Sequence, residues 1–565
     1  MQTIQTDVLV VGGGAAGARA ALEARPSGVR VVLAVKGRFA AIGVRGAGAS
    51  ACGMDGSGGA LYDTDAKMIQ PPEQIYDDVI QLGLGLADPK LARILVQDGL
   101  RNCSEFAAYN IVMSRGYGWG VRCLGVPLVG GLAGQIRNRG VEVLEDLMVW
   151  QLLVRDGRCV GALAVGESDG EPLIIQAAAV VLATGGDGQI YLHNFNPSCV
   201  TGDGYAMGYH AGAELMNMEF KQVFIGSVAP TRNILHLWMW RHPPTFLNAR
   251  HEHFLHKHVP PEVTLDQILT EHSRHDPAST RDAHSRYLEF GIMREVAAGN
   301  GTPHWGVWVD MRGQEHTLLP YIADWLHYRG IFSNEEMIEA SVFQQCSNGG
   351  FRVDENAQTT LPGLYAVGEC MTGCHGADRK GGNMLGATQV FGARAGRHAA
   401  RFARLHPAAE HDPAAIDEIQ SRLGQIRALK GRLRPRDLKL ALQRSNWRDL
   451  LFVRSQESLE RVLAEAANIR QASATEMGIE TPADLIESLE LDNMLTVTEI
   501  VARAALMRRE SRGAHWRLDY PQRNDSEWLK AVTVRQANGD MHLGTVVLDA
   551  AWRDRSGDMG QGRWG

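Results

Sequence analysis

The stretch that most constrains this chain lies at its start. Asp7-Val8-Leu9-Val10-Val11 is an apolar run suited to a buried parallel strand, and it leads straight into Gly12-Gly13-Gly14-Ala15-Ala16-Gly17, a G-x-G-x-x-G. The Ala-rich segment Ala15 to Ala24 predicts a helix, Pro26-Ser27-Gly28 breaks it, and Val29 to Val35 reads as a second strand. Strand, turn, helix and strand in this order make a βαβ unit. Its glycines let a pyrophosphate lie against the backbone at the helix N-terminus, where free N–H groups and the dipole favour anions. A lone G-x-G-x-x-G is a weak signal, but in this setting it is a strong one. Gly12, Gly14, Ala15, Ala16 and Gly17 are therefore candidate cofactor contacts. The second strand ends Ala34-Val35-Lys36, where an acid usually binds the adenosine ribose. Val35 cannot do so, and this strand pair alone leaves NAD and FAD both open.

Composition narrows the class. Glycine supplies 63 of 565 residues while Pro stays at 21, which points to tight turns and close ligand approach rather than to linkers. The length predicts three to four domains at roughly 150 residues each. A net charge of −7 argues against a nucleic-acid or anionic-membrane binder. The eight cysteines are too sparse for a disulfide scaffold and none are spaced C-x-x-C, which argues against a zinc ribbon or an iron–sulfur cluster held by this chain. The opening MQTIQTDVLVV has no basic n-region and no long apolar core, and no stretch approaches 18 apolar residues. The expectation is a cytoplasmic protein with no direct membrane span.

Two later strands select the flavin. Val180-Val181-Leu182 runs into Ala183-Thr184-Gly185-Gly186, and Leu364 to Val367 into Gly368-Glu369. Both are typical of FAD domains built from two stretches, in which an acid after the late strand binds a ribityl hydroxyl. Ala183, Thr184, Gly185, Gly186 and Glu369 join the candidate contacts, and the residues between the two stretches look like an inserted domain.

The motifs Asn196 to Gly204 (NPSCVTGDG), Ala211-Gly212-Ala213, Met218-Glu219-Phe220, Ser279-Thr280-Arg281-Asp282, His375 to Asn383 (HGADRKGGN) and Arg509 to His515 (RESRGAH) follow in order along the chain. With them the sequence resembles the flavoprotein subunit of the fumarate reductase/succinate dehydrogenase family, whose relatives include L-aspartate oxidase and adenylylsulfate reductase. The resemblance implies an α/β fold. A discontinuous Rossmann-like FAD-binding domain (1–223 and 346–410) would carry an inserted α+β capping domain (224–345). A helical bundle (411–512) and a small C-terminal region (513–565) would follow. Leu491, Met494, Leu495, Thr498, Val501 and Ala505 keep helical spacing, as do Ala414 to Lys430 and Ser455 to Ile469, whereas Ala531 to Val534 and Gly544 to Leu548 read as strands.

The resemblance also implies roles. Arg379 matches the family's substrate-carboxylate arginine, whose fork takes a carboxylate through two hydrogen bonds, and Arg281 matches the proton donor of fumarate reduction. His375, in the same turn as Arg379, is a candidate substrate contact. Lys36 and Asp203 fall among the family's cofactor positions. Asn383, Met384 and Leu385 begin a helix whose positive end would favour negative charge on the reduced ring.

The departures weigh as much. Phe224 occupies the position of one substrate-binding histidine and Gln345 that of the other, and the Thr-Glu pair that relays protons in fumarate reductases has no counterpart in Arg232 to Pro244. A second carboxylate would lose much of its binding, so succinate and fumarate are disfavoured. No histidine lies between Lys36 and Ala60, so the histidine tether of membrane-bound members is missing and FAD should be non-covalent. The loop Ile42 to Gly48 resembles that of adenylylsulfate reductase, with Gly43 and Gly48 as cofactor contacts.

Three features invite over-reading. His251, His253, His256 and His258 suggest a metal, but they fall where the family has a metal-free hairpin. A Cys370–Cys374 redox disulfide is set aside in favour of turn packing. The basic run from Arg427 to Arg448 is expected to be a solvated helical face, with docking of an acidic electron-transfer partner as the other reading. The leading function is an FAD-dependent oxidoreductase passing hydride between flavin N5 and a small anionic substrate. An adenylylsulfate-reductase-like reaction, a redox subunit serving a separate iron–sulfur protein, and a flavin-binding protein without turnover are the alternatives.

Overall fold

The structure is a computed structural model. It describes residues 2–41, 72–111, 113–116, 120–123, 125–230, 232–235, 244–274, 284–313, 324, 327–328, 337–410 and 412–548. Arg281, Gly43, Gly48, the loop 42–48 and the tract 236–243 lie outside these.

The first βαβ unit forms as the pattern predicts. Strand β1 (Gln2–Val11) feeds helix α1 (Ala15–Ala24), which returns to β2 (Val31–Ala34). β1 pairs parallel with β2 on one side and with β3 (Pro172–Leu182) on the other. Parallel strands covered on both faces should be near-continuously apolar, and Val8 to Val11 and Ala177 to Leu182 are buried throughout. The strands Leu147–Arg155 and Arg158–Gly166 extend the sheet antiparallel beyond β3, and Glu142–Leu144 closes the other edge on β2.

A short helix, α2 (Asp203–His210), follows β3, and the chain then enters a second sheet through β4 (Lys221–Ala229). β4 pairs antiparallel with β5 (Ile338–Ser347), and Asn233–Ile234, Val307–Asp310 and Thr245–Leu247 complete five strands. Helices α3 (Leu265–Arg274) and α4 (Tyr287–Glu295) lie in the insertion between them. Because β4 starts at Lys221 and β5 ends at Ser347, the boundaries drawn at 223/224 and 345/346 cut through these strands.

The chain then returns to the first sheet. β6 (Leu364–Ala366) pairs parallel with the C-terminal end of β3, so the ends of β1, β3 and β6 lie side by side. Helix α5 (Asn383–Leu405) packs on α1 so closely that a side chain at Gly392 or Gly396 would meet the carbonyls of Ala16 or Ala20. Four helices follow: α6 (Pro413–Arg427), α7 (Pro435–Asp449), α8 (Gln456–Thr475) and α9 (Pro482–Met507). Ser455 and Thr481 cap the last two through reciprocal bonds with Ser458 and Asp484. The hairpin of β7 (Ala531–Ala537) and β8 (Asp540–Val546) is not free-standing, since β7 pairs with Leu215–Met216 beside α2. The fold is thus the expected α/β architecture, a Rossmann-like domain in two stretches carrying an α+β insertion, a helical bundle and a small C-terminal region.

Candidate active site

The cleft at the ends of β1, β3 and β6 is walled by backbone. Gly12 has φ +110°, which L side chains rarely adopt, and a Cβ there would strike the Ala183 carbonyl. A Cβ on Gly17 would strike the carbonyl of Gly12. Gly14 is the N-cap of α1 and brings no side chain of its own, and the first turn holds no acid. Its amides therefore suit a pyrophosphate. Gly368 sits against Ala16 of that first turn, and Gly186 sits against the Glu369 carboxyl. Thr184 Oγ1 lies 3.0 Å from Cys370 Sγ, which also donates to the Gly185 carbonyl at 3.2 Å. Cys370 thus ties two strand ends together as a free thiol, and Cys374 is free as well.

Lys36 and Asp203 are placed differently from a simple cofactor clamp. Lys36 Nζ lies 2.8 Å from Asp203, 2.7 Å from Glu490 and 3.0 Å from the Thr201 hydroxyl. Asp203 also accepts from Asn493 at 2.9 Å. The two residues join the nucleotide sheet to α9, and the carboxylates missing at the end of β2 arrive there from distant sequence.

The second half of the site lies between β4, β5 and the turn after β6. Arg379 is 5% exposed, and its Nε donates to Gln222 Oε1 at 3.1 Å and to Cys346 Sγ at 3.3 Å. Its Nη1 donates to the Lys380 carbonyl at 3.1 Å. Nη2 has no partner among the described residues, and no carboxylate stands at ion-pair distance from the guanidinium. Burial opposes this charge, but Cys346, Asp378 and Glu369 outweigh it and hold its pKa above the ordinary value. Gln222 is the hub, since its Nε2 also donates to Asp378 at 2.6 Å.

The three other substrate candidates surround this hub. His375 is buried, and neither ring nitrogen has a partner among the described residues. Burial, then the Arg379 charge, lower its pKa to about 3, so it is a neutral donor and acceptor. Gln345 is the extra residue of a β-bulge, because Gln222 pairs with Cys346 whereas Val223 pairs with Gln344. Its Oε1 is buried without a partner among the described residues. Phe224 is 1% exposed and meets the His272 ring edge-on at 5.9 Å. At the start of α5, Asn383 is buried and Met384 and Leu385 half-buried, with Gly382 as the cap at φ +78° and no acid in the first turn.

Several residues escaped the sequence reading. Cys346 carries no motif. Asp187, directly after Gly185-Gly186, and Lys221, inside Met-Glu-Phe-Lys-Gln, are charges in apolar surroundings, a signal that was there to be read. The other features resolve simply. His258 pairs with Glu295 at 2.8 Å, His251 stacks on Trp308, and no group of ligands able to hold a metal occurs among the described residues. The basic run is only partly a solvated face: Lys439 is largely buried against Glu490 and Arg434 pairs with Glu480 and Asp484, because α7 packs these charges onto α9 and its N-terminal approach. No described helix is long and apolar enough to cross a membrane.

A glycine-walled anion cradle fed by two separated stretches, with a buried guanidinium on the turn after β6, is the arrangement an FAD-dependent oxidoreductase requires. The FAD binding domain model matches residues 7–126 and 123–385, and the fumarate reductase flavoprotein C-terminal model matches 439–552. The chain is 31% identical to a fumarate reductase (CoM/CoB) subunit of Methanothermobacter marburgensis, covering 96% of this chain and 99% of that one. It is 31% identical to L-aspartate oxidase of Streptomyces coelicolor, over 97% and 94% of the two chains. E. coli quinol fumarate reductase FrdA has the same fold, with a TM-score of 0.80, 24% identity and 97% of each chain covered. The chain belongs to the fumarate reductase/succinate dehydrogenase flavoprotein family and binds FAD.

Proposed function

We propose that the protein transfers a hydride between FAD and a small substrate carrying one carboxylate or a similar anionic group. One observation carries this reading: Arg379 is a buried guanidinium with an unpartnered Nη2 and no carboxylate at ion-pair distance among the described residues. A buried charge without a counter-ion is costly, and a bound anion removes that cost. FAD would give up a hydride when reduced or accept one when oxidised, and Gly12, Gly14, Ala15, Ala16 and Gly17 would hold its pyrophosphate, with Ala183 to Gly186, Glu369 and Asn383 to Leu385 along the rest.

The chain's own residues do the remainder. Arg379, fixed by Gln222 and Cys346, orients the anion. His375 and Gln345 offer neutral hydrogen bonds to its polar atoms, and Arg281 hands over or takes the substrate proton. Phe224 presents an apolar ring where a second carboxylate would need a donor, so the preferred substrate has an uncharged far end. With no histidine from Lys36 to Ala60, the flavin is held without a covalent bond.

A second reading has support in the full-length match to a relative whose name marks it as part of a larger assembly. In it this chain exchanges electrons with a separate iron–sulfur protein, having no C-x-x-C of its own. An adenylylsulfate-like substrate also satisfies a single arginine clamp. The test is to reduce the yellow protein anaerobically and add enoates, keto acids or adenylylsulfate. Reoxidation by a monocarboxylate but not by fumarate is expected, and it should be lost in Arg379→Gln. Unchanged turnover in that variant would remove Arg379 from the reaction.

A further inference from the structure

Beside the cleft lies a closed network of charges that the substrate clamp does not use. Asp187 and Lys221 are each 0% exposed in their side chains, and Lys221 Nζ stands 2.7 Å from Asp187 Oδ2 and 3.0 Å from the Ser347 hydroxyl. The Ser347 hydroxyl donates to Asp187 Oδ1, and the Ser347 amide donates to Glu369 Oε1 at 2.7 Å. Two carboxyls and one ammonium are thus strung on a single serine, and the ammonium sits on Asp187.

Glu369 therefore has no cation at ion-pair distance among the described residues. The charged groups that face it are Asp187 from the turn after β3, Lys221 from β4 and Arg379 from the turn after β6. The titratable groups around it are neutral: Cys346 and Cys370 are pushed up to about 11 and Tyr205 well above its usual value, in each case chiefly by burial. Burial and the Asp187 charge outweigh the Ser347 amide, Lys221 and Arg379, and lift Glu369 to about 7.

The position of this carboxyl matters for an incoming anion. Gly368, one residue before it, would put a Cβ 2.9 Å from Ala16 in the first turn of α1, the helix start assigned to the pyrophosphate. A pyrophosphate bound in the same buried cleft disfavours the ionised form of this carboxyl. FAD must therefore bind the protonated network more tightly than the ionised one.

We propose that FAD binding takes up a proton at Glu369, and that Lys221, acting through Asp187 and Ser347, is the positioning residue that sets the pH at which this coupling operates. The inference rests on the assignment of Glu369 to the FAD cleft. By linkage, affinity is flat where Glu369 is protonated with and without FAD. It then falls as pH rises above the value at which the empty site ionises, by at most tenfold per pH unit for one proton.

The experiment is titration of the full-length apoprotein with FAD, followed by flavin fluorescence, from about pH 6 to about pH 9, a range in which a pyrophosphate keeps its charge. The wild type should bind with constant affinity below about pH 7 and more weakly above it. Glu369→Gln should bind FAD with no such break. Lys221→Met, lacking the cation, should move the break up by about one pH unit, Asp187→Asn should move it down, and Lys221→Arg should leave it in place. A merely structural lysine would weaken binding equally at every pH. A break that persists in Glu369→Gln, or a wild type whose affinity ignores pH, overturns the proposal while leaving FAD binding itself intact. If Lys221→Met does not fold, the loss of the break in Glu369→Gln and its downward move in Asp187→Asn decide the matter.

Discussion

The nucleotide cleft and the clamp around Arg379 meet in one turn, Gly368 to Arg379, yet they are built by opposite means. The cleft is made of backbone: Gly12, Gly17, Gly186 and Gly368 each lie where a Cβ would collide with a neighbour, and the recognition groups are amides at the start of α1. The proposed clamp is made of side chains from β4, β5 and the turn after β6, and several of their polar atoms have no partner among the described residues. A pyrophosphate is the same in every relative, so a fixed backbone serves it. Substrates differ, and side chains can change without disturbing the sheet.

The contrast is tested hardest at Gly12. Gly12→Ala forces a left-handed backbone on alanine and drives its methyl into the Ala183 carbonyl. Strain and overpacking together are worth about 3–5 kcal/mol, or roughly 10²–10⁴-fold in FAD affinity. The chain should be isolated colourless, with its helical content by circular dichroism retained. A yellow Gly12→Ala protein would mean that the cleft is not backbone-built.

Arg379→Gln should do the reverse. FAD affinity should hold within about threefold, while binding of a carboxylate probe such as crotonate, read from the perturbed flavin spectrum, should weaken roughly 10- to 100-fold, the worth of a hydrogen bond to a charged group. Because His375 is neutral above about pH 3, the probe's affinity should not change through histidine titration between mildly acidic and neutral pH.

This division also explains what could be read in advance. The cleft was legible because its demands are local: a strand, a glycine turn and a helix must follow one another within a few residues, as Val8 to Ala24 do. The proposed clamp can be read from the sequence only where a motif carries it, at Arg379 and His375. Cys346 and Gln222 meet through a β-bulge that no spacing announces, and Glu490 reaches Lys36 from more than 450 residues away. The bulge moreover makes Gln345 the extra residue of its strand, a geometry that its place in the sequence does not announce. The missing acid at the end of β2 likewise returns through Lys36 to Asp203 and Glu490, a solution that tertiary packing alone could supply.

A smaller change should sharpen the side-chain half of the comparison. Phe224 pairs across the strands with Phe343 and lies two residues beyond Gln222, against the His272–Glu289 pair of α3 and α4. Phe224→His places a neutral donor on this wall. Its expected effect is to improve fumarate over crotonate by about tenfold, the value of one hydrogen bond to a charged group. Competition between the two anions for the flavin-perturbing site measures it, and an unchanged ratio would mean that Phe224 does not line the substrate's far end.

Cys346 gives the finest test, since it touches the clamp yet should barely matter. Its Sγ accepts from Arg379 Nε at 3.3 Å and donates to Gln222 Oε1 at 3.1 Å, two weak bonds that a serine hydroxyl can also make. Burial, opposed by the Arg379 charge, still raises the thiol to about 11. The sign follows directly: a thiol raised above its ordinary value stays protonated as pH rises, so at pH 8 only about one molecule in a thousand carries the reactive thiolate. Native protein should therefore keep its probe affinity through prolonged iodoacetamide treatment at that pH, and Cys346→Ser should alter the affinity by less than about threefold. Rapid inactivation that serine prevents would show instead that the clamp opens to solvent and that the guanidinium, not burial, controls this sulfur.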